Sequence, residues 1–478
     1  MSTYPPPVLW FGRPVLFAGL ESLYRVDYRS HLQVHGQLPS MGAEELAELA
    51  ENVDLRGRGG AGFPFARKIR AVVKSAARRR TTPVVVVNGT EGEPSCLKDT
   101  TLILRAPHLV VDGALIAATA IGAERVAIGV TRADTEESLR QALAERRSVK
   151  PPVEVVRLPE RFVTGRARWP AASPTGSPCP GEAACAPATA VSGSPHPAVQ
   201  RRDVRPARRG GPLGCTALPG ERSPRRARHG AAHHRRLHRG GDPTGVPLET
   251  VLAACELDIG QGVLVGGYHG KWLTPDAARQ AVISRQSFQR LGGALGAGAI
   301  LPLPETTCPL WEVVRISRWM ADETAGQCGP CYIGLPDLTS ALEDLVRGGG
   351  QRALDRVQAG MQAVTGRGAC SHPDAAARFV ASSLAVFDDD LVAHSYQGGC
   401  GRPSQDVLPL PEVESAGSIV VDWTLCEAHG LCTGVLPDVI RLGPDGFPAA
   451  AVMPVPARLL SQAARAVDRC PALALRMQ

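Results

Sequence analysis

The chain has 478 residues, 44% hydrophobic and 21% charged, with a formal net charge of +7. That length admits several domains, and the composition is globular rather than disordered or fibrous. The charge is local: residues 166–240 hold 14 Arg, no Lys and 3 acids, so this window carries +11 and the rest of the chain −4, which excludes a generally nucleic-acid-binding surface.

No basic stretch precedes an apolar core at the start of the chain, and no apolar run approaches the ~20 residues of a membrane span. A cytoplasmic chain with no transmembrane segment is expected. Without an export signal, the 13 cysteines point to metal or redox sites rather than disulfides.

In chain order, MGAEELAELAENV (41–53) has helical periodicity and ends at the glycine-rich loop DLRGRGGAGFP (54–64). FARKIRAVVKSAARR (65–79) reads as a second helix and VVVV (84–87) as a buried strand, followed by the polar loop NGTEGEPSCLKD (88–99). An apolar helix (108–123), the strand RVAIGV (125–130), a charged helix (133–147) and the strand VEVVRL (153–158) complete the pattern. Strands alternating with helices predict a parallel α/β sheet with covered faces. Between 166 and 240 there is no Ile, Phe, Tyr, Lys, Asn or Met and no sustained periodicity. Ordinary patterning resumes at PTGVPLETVLAACELD (243–258), with short β-like pieces and glycine loops to about 300. A helical region runs from 309 to about 395, a Gly/Pro/Ser linker covers 398–418, and a small unit fills 419–478.

Four groups of residues carry chemistry. In GRGGAGFP (57–64), glycines lacking Cβ let backbone N–H groups approach a ligand, and the loop opens onto a helix, which suits a phosphate or a flavin edge; a tight turn is the plainer alternative. NGTEGEP follows a strand, where α/β sheets bind ligands. Cys328-Gly-Pro-Cys331, with Cys370 further on, has metal-ligand spacing; a redox pair or two buried thiols are the alternatives. Cys426-x2-His429-x2-Cys432 with Cys470-Pro471 has a ferredoxin-like arrangement, proline after the last thiol keeping its backbone from bonding back, while a Cys3His zinc site is the competing reading.

DLRGRGGAGFPFARKI, VVVVNGTEGEPSCLKDTTLILRAPHLVVDGALIAATAIGA and AGQCGPCYIGLP…GRGACSHPD together resemble the NADH-binding flavoprotein subunit of complex I, whose relatives include diaphorase subunits of hydrogenases and formate dehydrogenases. The tail resembles single-cluster actinobacterial ferredoxins. The resemblance implies an α/β FMN-binding domain beginning in 1–165, a β-grasp domain at 243–300, an α-helical iron–sulfur bundle at 301–397, a linker at 398–418 and a small α+β ferredoxin domain at 419–478. It implies a NADH:acceptor oxidoreductase using FMN, NADH and two iron–sulfur clusters, one in the bundle and one in the ferredoxin domain, of 3Fe–4S or 4Fe–4S type. Gly57, Arg58, Gly59, Gly60 and Gly62 would wrap FMN and its phosphate, with Asn88 and Glu91 in contact with the flavin. Phe63 would stand on the nicotinamide side, and Lys68 near the flavin and Glu93 near NADH would take the catalytic positions. Cys328, Cys331, Cys370, Cys426, Cys432 and Cys470 would be metal ligands, with His429 either a seventh or a bystander beside a 3Fe–4S cluster. The implied partners are NAD(H) and a redox protein or reductase, not nucleic acid; the resemblance leaves room for peripheral attachment to a membrane redox complex.

The chain departs from the family at several places. Thr90 stands where Asp is usual, Ser95 where glycine is usual, and Ala325 where a third bundle cysteine is usual, with Cys400 as a candidate replacement. Gly165 is followed by Arg166-Ala167-Arg168 instead of Gly-Glu-Glu, and VQRRDVRPAR (199–208) stands where an FMN-holding Asn-x-Glu-Thr element is expected. Family-like Ala-Glu-Thr-Phe-Ala-Gln-Leu-Ala written GCC GAG ACG TTC GCC CAG CTC GCG after a C reads, one frame over, as Arg201 to Arg208 of this chain. Residues 166–242 are therefore expected to be out-of-frame translation or disordered; a basic linker or nucleic-acid arm, and a metal tract at His233, His234 and His238, are the rivals. If the segment lacks the remaining flavin elements, a flavin-less, non-catalytic electron-transfer or scaffold protein is the alternative function.

Overall fold

The computed structural model describes residues 8–10, 18–20, 24–57, 62–158, 162, 198–201, 215–217, 245–324, 326–411, 415–437, 439–443, 445–456 and 459–478. The chain separates into two compact units, 1–410 and 411–478.

The first unit opens with a short strand, β1 (Val8–Trp10), and helix α1 (Tyr28–His35), whose N-terminus is capped by the Asp27 carboxylate accepting from the Ser30 N–H. Helices α2 (Ala43–Asn52) and α3 (Phe65–Arg79) follow. Leu46, Ala47 and Ala50 of α2 and Phe65, Ala66 and Ile69 of α3 are all buried in one core, as apolar stripes of helical spacing require. Strands β2 (Val85–Gly89), β3 (Val126–Val130) and β4 (Val153–Arg157) form a parallel sheet in that order. Every residue of β3 is buried, which explains why VAIGV reads as an unbroken apolar run. The crossovers are α4 (Lys98–Arg105) with α5 (Pro107–Ile121), and α6 (Ala133–Ala144). The parallel α/β sheet expected from the pattern is present; α1 and α4, both polar-faced and eight residues long, had no such signal.

Within 166–242, residues 198–201 (β5) and 215–217 (β6) are described, as strands; the rest of that segment, with its histidines, lies outside the described residues. They join β7 (Gly262–Val265), β8 (Lys271–Leu273) and β9 (Ala299–Leu303) in a six-stranded sheet ordered β1-β5-β6-β9-β7-β8, with every pairing antiparallel. Short helices α7 (Leu248–Ala254), α8 (Pro275–Gln280) and α9 (Arg285–Arg290) cover it around Phe288 and Leu248.

Helices α10 (Pro309–Asp322), α11 (Leu335–Val346), α12 (Gly350–Val364), α13 (His372–Val386) and α14 (Asp388–Tyr396) form the helical part, with a single π-turn at Pro330–Gly334 leading into α11. The run from 374 to 394 is two helices, broken at Phe387, whose buried ring packs edge-on to Trp272. In the second unit, β10 (Ser415–Val421) lies between β11 (Val452–Pro456) and β12 (Leu475–Met477), all antiparallel, with α15 (Leu431–Val435) and α16 (Leu460–Asp468). Its core is Ile419, Leu436, Ile440, Met453, Val455, Ala463 and Ala466. Among the described residues, no single helix is long and apolar enough to cross a membrane.

Candidate functional site

The glycine loop is closed at its base: Gly57 N–H donates to the Phe63 carbonyl at 3.0 Å, and Phe65 N–H to the Leu55 carbonyl at 2.9 Å. Gly62 has φ +59° with open space where a Cβ would lie, so the loop's exit uses a left-handed turn that glycine adopts without strain. Arg58, Gly59 and Gly60 lie outside the described residues. The loop delivers the chain to α3, which Pro64 precedes with no side-chain cap, and its first-turn N–H groups suit an anion. Phe63 is exposed. Lys68, on the first turn of α3, is half-buried, and burial holds its ammonium below the usual lysine range. It lines an otherwise apolar crevice with Ile69, Val72, Val85 and Ala117, to which Asn88, Glu91 and Glu93 do not contribute.

The acidic loop follows β2, at the carboxyl end of a parallel strand. Asn88 Oδ1 accepts from both the N–H and the hydroxyl of Thr90, at 3.1 and 2.5 Å, so threonine at this position folds the loop back on the asparagine. The Glu91 side chain is 4% exposed and caps α4: its two oxygens accept from the Asp99 and Thr100 N–H groups at 3.0 and 2.9 Å. Lys98 lies 3.8 Å from Glu91 and pairs with Asp99, and these anions hold its ammonium well above the usual lysine range against the cost of burial. Glu93 is also buried. Its Oε1 accepts from the Ser95 hydroxyl at 2.7 Å and its Oε2 from the Tyr268 N–H at 3.0 Å. Burial outweighs these bonds and raises its carboxyl to about 7. Ser95 therefore has a definite job as the donor that orients Glu93.

The turn that receives Glu93 is made of glycine. Gly267 has φ +79°, and a Cβ there would lie 2.5 Å from Glu93 Oε2. Beyond it, His269 Nε2 and His372 Nδ1 are 2.9 Å apart, and His372 Nε2 lies 2.9 Å from the Met320 carbonyl. The Phe162 ring stacks edge-on to His269, Trp319 and His372. His372 begins α13 two residues after Cys370, so the acidic loop connects through Tyr268 and His269 to the segment carrying a predicted cluster thiol. Sequence reasoning missed Lys98, Tyr268, His269 and His372; GGYHG, with glycines flanking an aromatic and a histidine, was the available signal.

The structure brings Cys328, Cys331 and Cys370 together. Cys331 N–H donates to the Cys328 carbonyl at 3.0 Å, and the Cys331 thiol is pushed up to about 12 by burial and by its neighbours Cys328 and Cys370. Hydrogen bonds from the Ala369 and Cys331 backbone favour the Cys328 thiolate, holding it below the usual thiol range. Ala325 lies outside the described residues. Cys400 does not serve this trio in the structure: it packs against Cys308 and His394, because the turn after α14 returns the chain to the start of α10. In the second unit Cys426, Cys432 and Cys470 edge the core, and Cys432 is raised by burial and by Cys426 and Cys470. His429 is half-exposed and lies 3.7 Å from the Glu427 carboxylate.

Spacing separates clusters from a lone ion. Among the described residues, the one set of three such donors lying within 4.8 Å of one another is Cys308, His394 and Cys400. Neither cysteine trio is that tight, which differs from the edges of about 3.8 Å that a tetrahedral zinc imposes on sulfur ligands and suits thiolates that would each bind a different iron of a cluster. The residues present thus fit iron–sulfur clusters, and the described part of the glycine loop fits a phosphate-bearing flavin.

The comparisons agree with this division. Residues 50–191 match the family model of the Nuo51 FMN-binding domain, 312–394 the NADH-ubiquinone oxidoreductase-F iron-sulfur binding region, and 419–477 the 4Fe-4S single cluster domain. The chain is 26% identical over 400 residues to a NADH-quinone oxidoreductase subunit of Rhizobium meliloti (strain 1021), covering 75% of this chain and 90% of the relative. It is 26% identical over 425 residues to the corresponding NADH-quinone oxidoreductase subunit of Mycobacterium tuberculosis (strain ATCC 25618 / H37Rv), covering 80% and 91%. An NAD+-reducing [NiFe]-hydrogenase in the H2-reduced state shares the fold, with a TM-score of 0.56 at 20% identity over 80% of this chain and 67% of that one.

Proposed function

We propose that this chain, a relative of these NADH-quinone oxidoreductase subunits with FMN-binding, iron–sulfur and single-cluster ferredoxin domains in series, is a NADH:acceptor oxidoreductase that discharges through its ferredoxin tail. FMN would supply the chemistry that couples two-electron hydride acceptance to one-electron release. In this reading Gly57, Arg58, Gly59, Gly60 and Gly62 hold the flavin phosphate with the open N-terminus of α3. Lys68 would supply a cation for the flavin, Asn88 would shape the loop that meets it, and Phe63 would contribute the nicotinamide side. Glu91 acts at one remove, fixing the acidic loop to α4. Glu93 stands ready to accept from a ribose hydroxyl, and near neutral pH it can hold or release a proton.

The single observation that carries this reading is the link from Glu93 through Tyr268 and His269 to His372, beside Cys370. This packed, hydrogen-bonded connection fixes the loop expected to meet NADH against the segment that carries a cluster thiol, so that the hydride-binding and one-electron parts would be held in one body. Cys328, Cys331 and Cys370 would hold the cluster that supplies one-electron chemistry in the first unit, and Cys426, Cys432 and Cys470 the one in the ferredoxin domain, from which a partner protein or reductase would be served. Its test is anaerobic titration of the purified chain with NADH: flavin absorbance bleached by NADH, followed by cluster reduction, is expected, and clusters reducible by dithionite but not by NADH would overturn it.

A second reading is favoured by one sequence fact: Arg166-Ala167-Arg168 replaces the Gly-Glu-Glu expected after Gly165. A chain made as written would then lose FMN and work as an iron–sulfur electron carrier or scaffold. Flavin content of the purified chain separates the two.

A further inference from the structure

We propose that Cys308, His394 and Cys400 bind a single zinc ion at the point where the helical part begins and ends. Cys308 is the residue preceding α10, His394 lies in the last turn of α14, and Cys400 is in the turn that follows. One sulfur or nitrogen atom from each lies within 4.8 Å of the other two, and Cys308 Sγ is 3.3 Å from His394 Nε2. Zn–S bonds of ~2.3 Å and Zn–N bonds of ~2.0 Å at tetrahedral angles place sulfur and nitrogen about 3.5 Å apart and two sulfurs about 3.8 Å apart. The observed S–N separation is within a few tenths of an ångström of that edge.

The imidazole is oriented as a ligand should be. His394 Nδ1 is 2.6 Å from the Val346 carbonyl, which can only accept, so Nδ1 carries the proton and the Nε2 lone pair faces the two thiols. This outer bond to a backbone carbonyl is the arrangement that fixes the tautomer of metal-bound histidine. Two of the three ligands lie inside the fold: Cys308 is fully buried and His394 is 4% exposed. Cys400 is only partly buried, which leaves a solvent side for a fourth, water ligand. Two thiolates and one imidazole select zinc over magnesium or calcium, which take oxygen ligands. Two thiolates also neutralise the ion, so that burial carries little electrostatic cost.

The surroundings are already tied together. Cys308 N–H donates to the Pro403 carbonyl at 2.9 Å, and the buried Glu312 carboxylate accepts from the Val407 and Leu408 N–H groups at 3.0 and 3.2 Å. The segment 400–408 is thus strapped across the start of α10, and zinc would lock the strap to both terminal helices. None of the three residues belongs to the trios assigned to clusters.

The test measures metals in the full chain, purified anaerobically after growth with zinc and iron, beside Cys308→Ser and His394→Gln. About one zinc per wild-type chain, at least a tenfold loss in each variant and unchanged iron are expected. Because either variant could misfold, the wild-type chain is also alkylated before and after zinc removal by dipicolinate and mapped by mass spectrometry. Cys308 and Cys400 should be protected only while zinc is present. Wild-type chain without zinc, zinc retained at wild-type level in both variants, equal alkylation with and without zinc, or a Cys308–Cys400 disulfide in its place would overturn the proposal.

Discussion

The Glu93 carboxylate accepts the Tyr268 backbone N–H at 3.0 Å across 175 residues of sequence, joining the loop after β2 to the turn after β7. The contact is buried and burial raises the acid to about 7, so both the stability and the chemistry of this junction should respond to pH.

Burial raises Glu93 from 4.5 to about 7. For a raised carboxyl the fold favours the protonated form. Its stabilising contribution is complete below pH 4.5, falls as pH rises through the window to about 7, and stays lost above it. At 1.36 kcal/mol per pH unit this is roughly 3 kcal/mol. Glu93→Gln keeps an oxygen for Tyr268 N–H and an amide that can donate to Ser95 Oγ, but has no proton to lose. The difference in Tm between wild type and Glu93→Gln should therefore change between pH 4.5 and 7 and be flat above; a constant difference across the window would show that Glu93 does not titrate there.

Gly267→Ala places a methyl on Glu93 Oε2 and a side chain at φ +79°. Left-handed strain and the clash together should cost about 2 kcal/mol or more. In a Glu93→Ala background the clash vanishes and the strain stays, so the two substitutions should be markedly non-additive. Additive Tm shifts in the double variant would mean the two residues do not touch.

Lys98→Met tests the other buried acid. Lys98 is 12% exposed and Glu91 4%, so removing the ammonium leaves Glu91 and Asp99 without their cation. A loss of about 3 kcal/mol is expected, read from chemical denaturation of the full chain. A change below about 0.5 kcal/mol would instead place the pair in the weak, surface class.

What the sequence made legible follows from locality. β2 to β4 and the helices α3, α5 and α6 were readable because a buried parallel sheet writes itself as apolar runs separated by helical periodicity, as in VAIGV, whereas α4 was not. The cysteine trios were readable because ligand spacing is local at one end of each. The partners of Glu93 were not, since a backbone N–H carries no residue identity and Tyr268 is distant in sequence. The same holds for Cys308 and His394, 86 residues apart, which no motif unites. Ser95 was visible only as a departure from the family, and its hydrogen bond to Glu93 gives that departure a physical role.

The segment 166–242 has a direct check in the DNA. If two compensating shifts produced it, resequencing across codons 160–245 should restore Gly-Glu-Glu after Gly165 and Glu-Thr near 201–208, and the corrected chain should retain FMN. An unchanged reading, with stoichiometric FMN in the protein made from it, would show that other residues replace those elements.

The last expectation concerns cluster type. Each unit offers three thiolates, Cys328, Cys331 and Cys370 in one and Cys426, Cys432 and Cys470 in the other, while His429 faces Glu427. Three thiolates leave the fourth iron of a cubane without a protein sulfur, so it is the corner lost on oxidation. The oxidised full chain should hold about six irons and give a 3Fe–4S EPR signal from both centres. Ala325→Cys restores the Cys-x2-Cys-x2-Cys spacing of the bundle. It should remove the bundle's share of that signal and add a dithionite-reduced 4Fe–4S signal, leaving the ferredoxin share intact. His429→Ala should leave the ferredoxin signal unchanged if the imidazole is a bystander. Oxidised wild type without a 3Fe–4S signal, or with two or more zinc ions and no iron, would overturn the three-thiolate assignment.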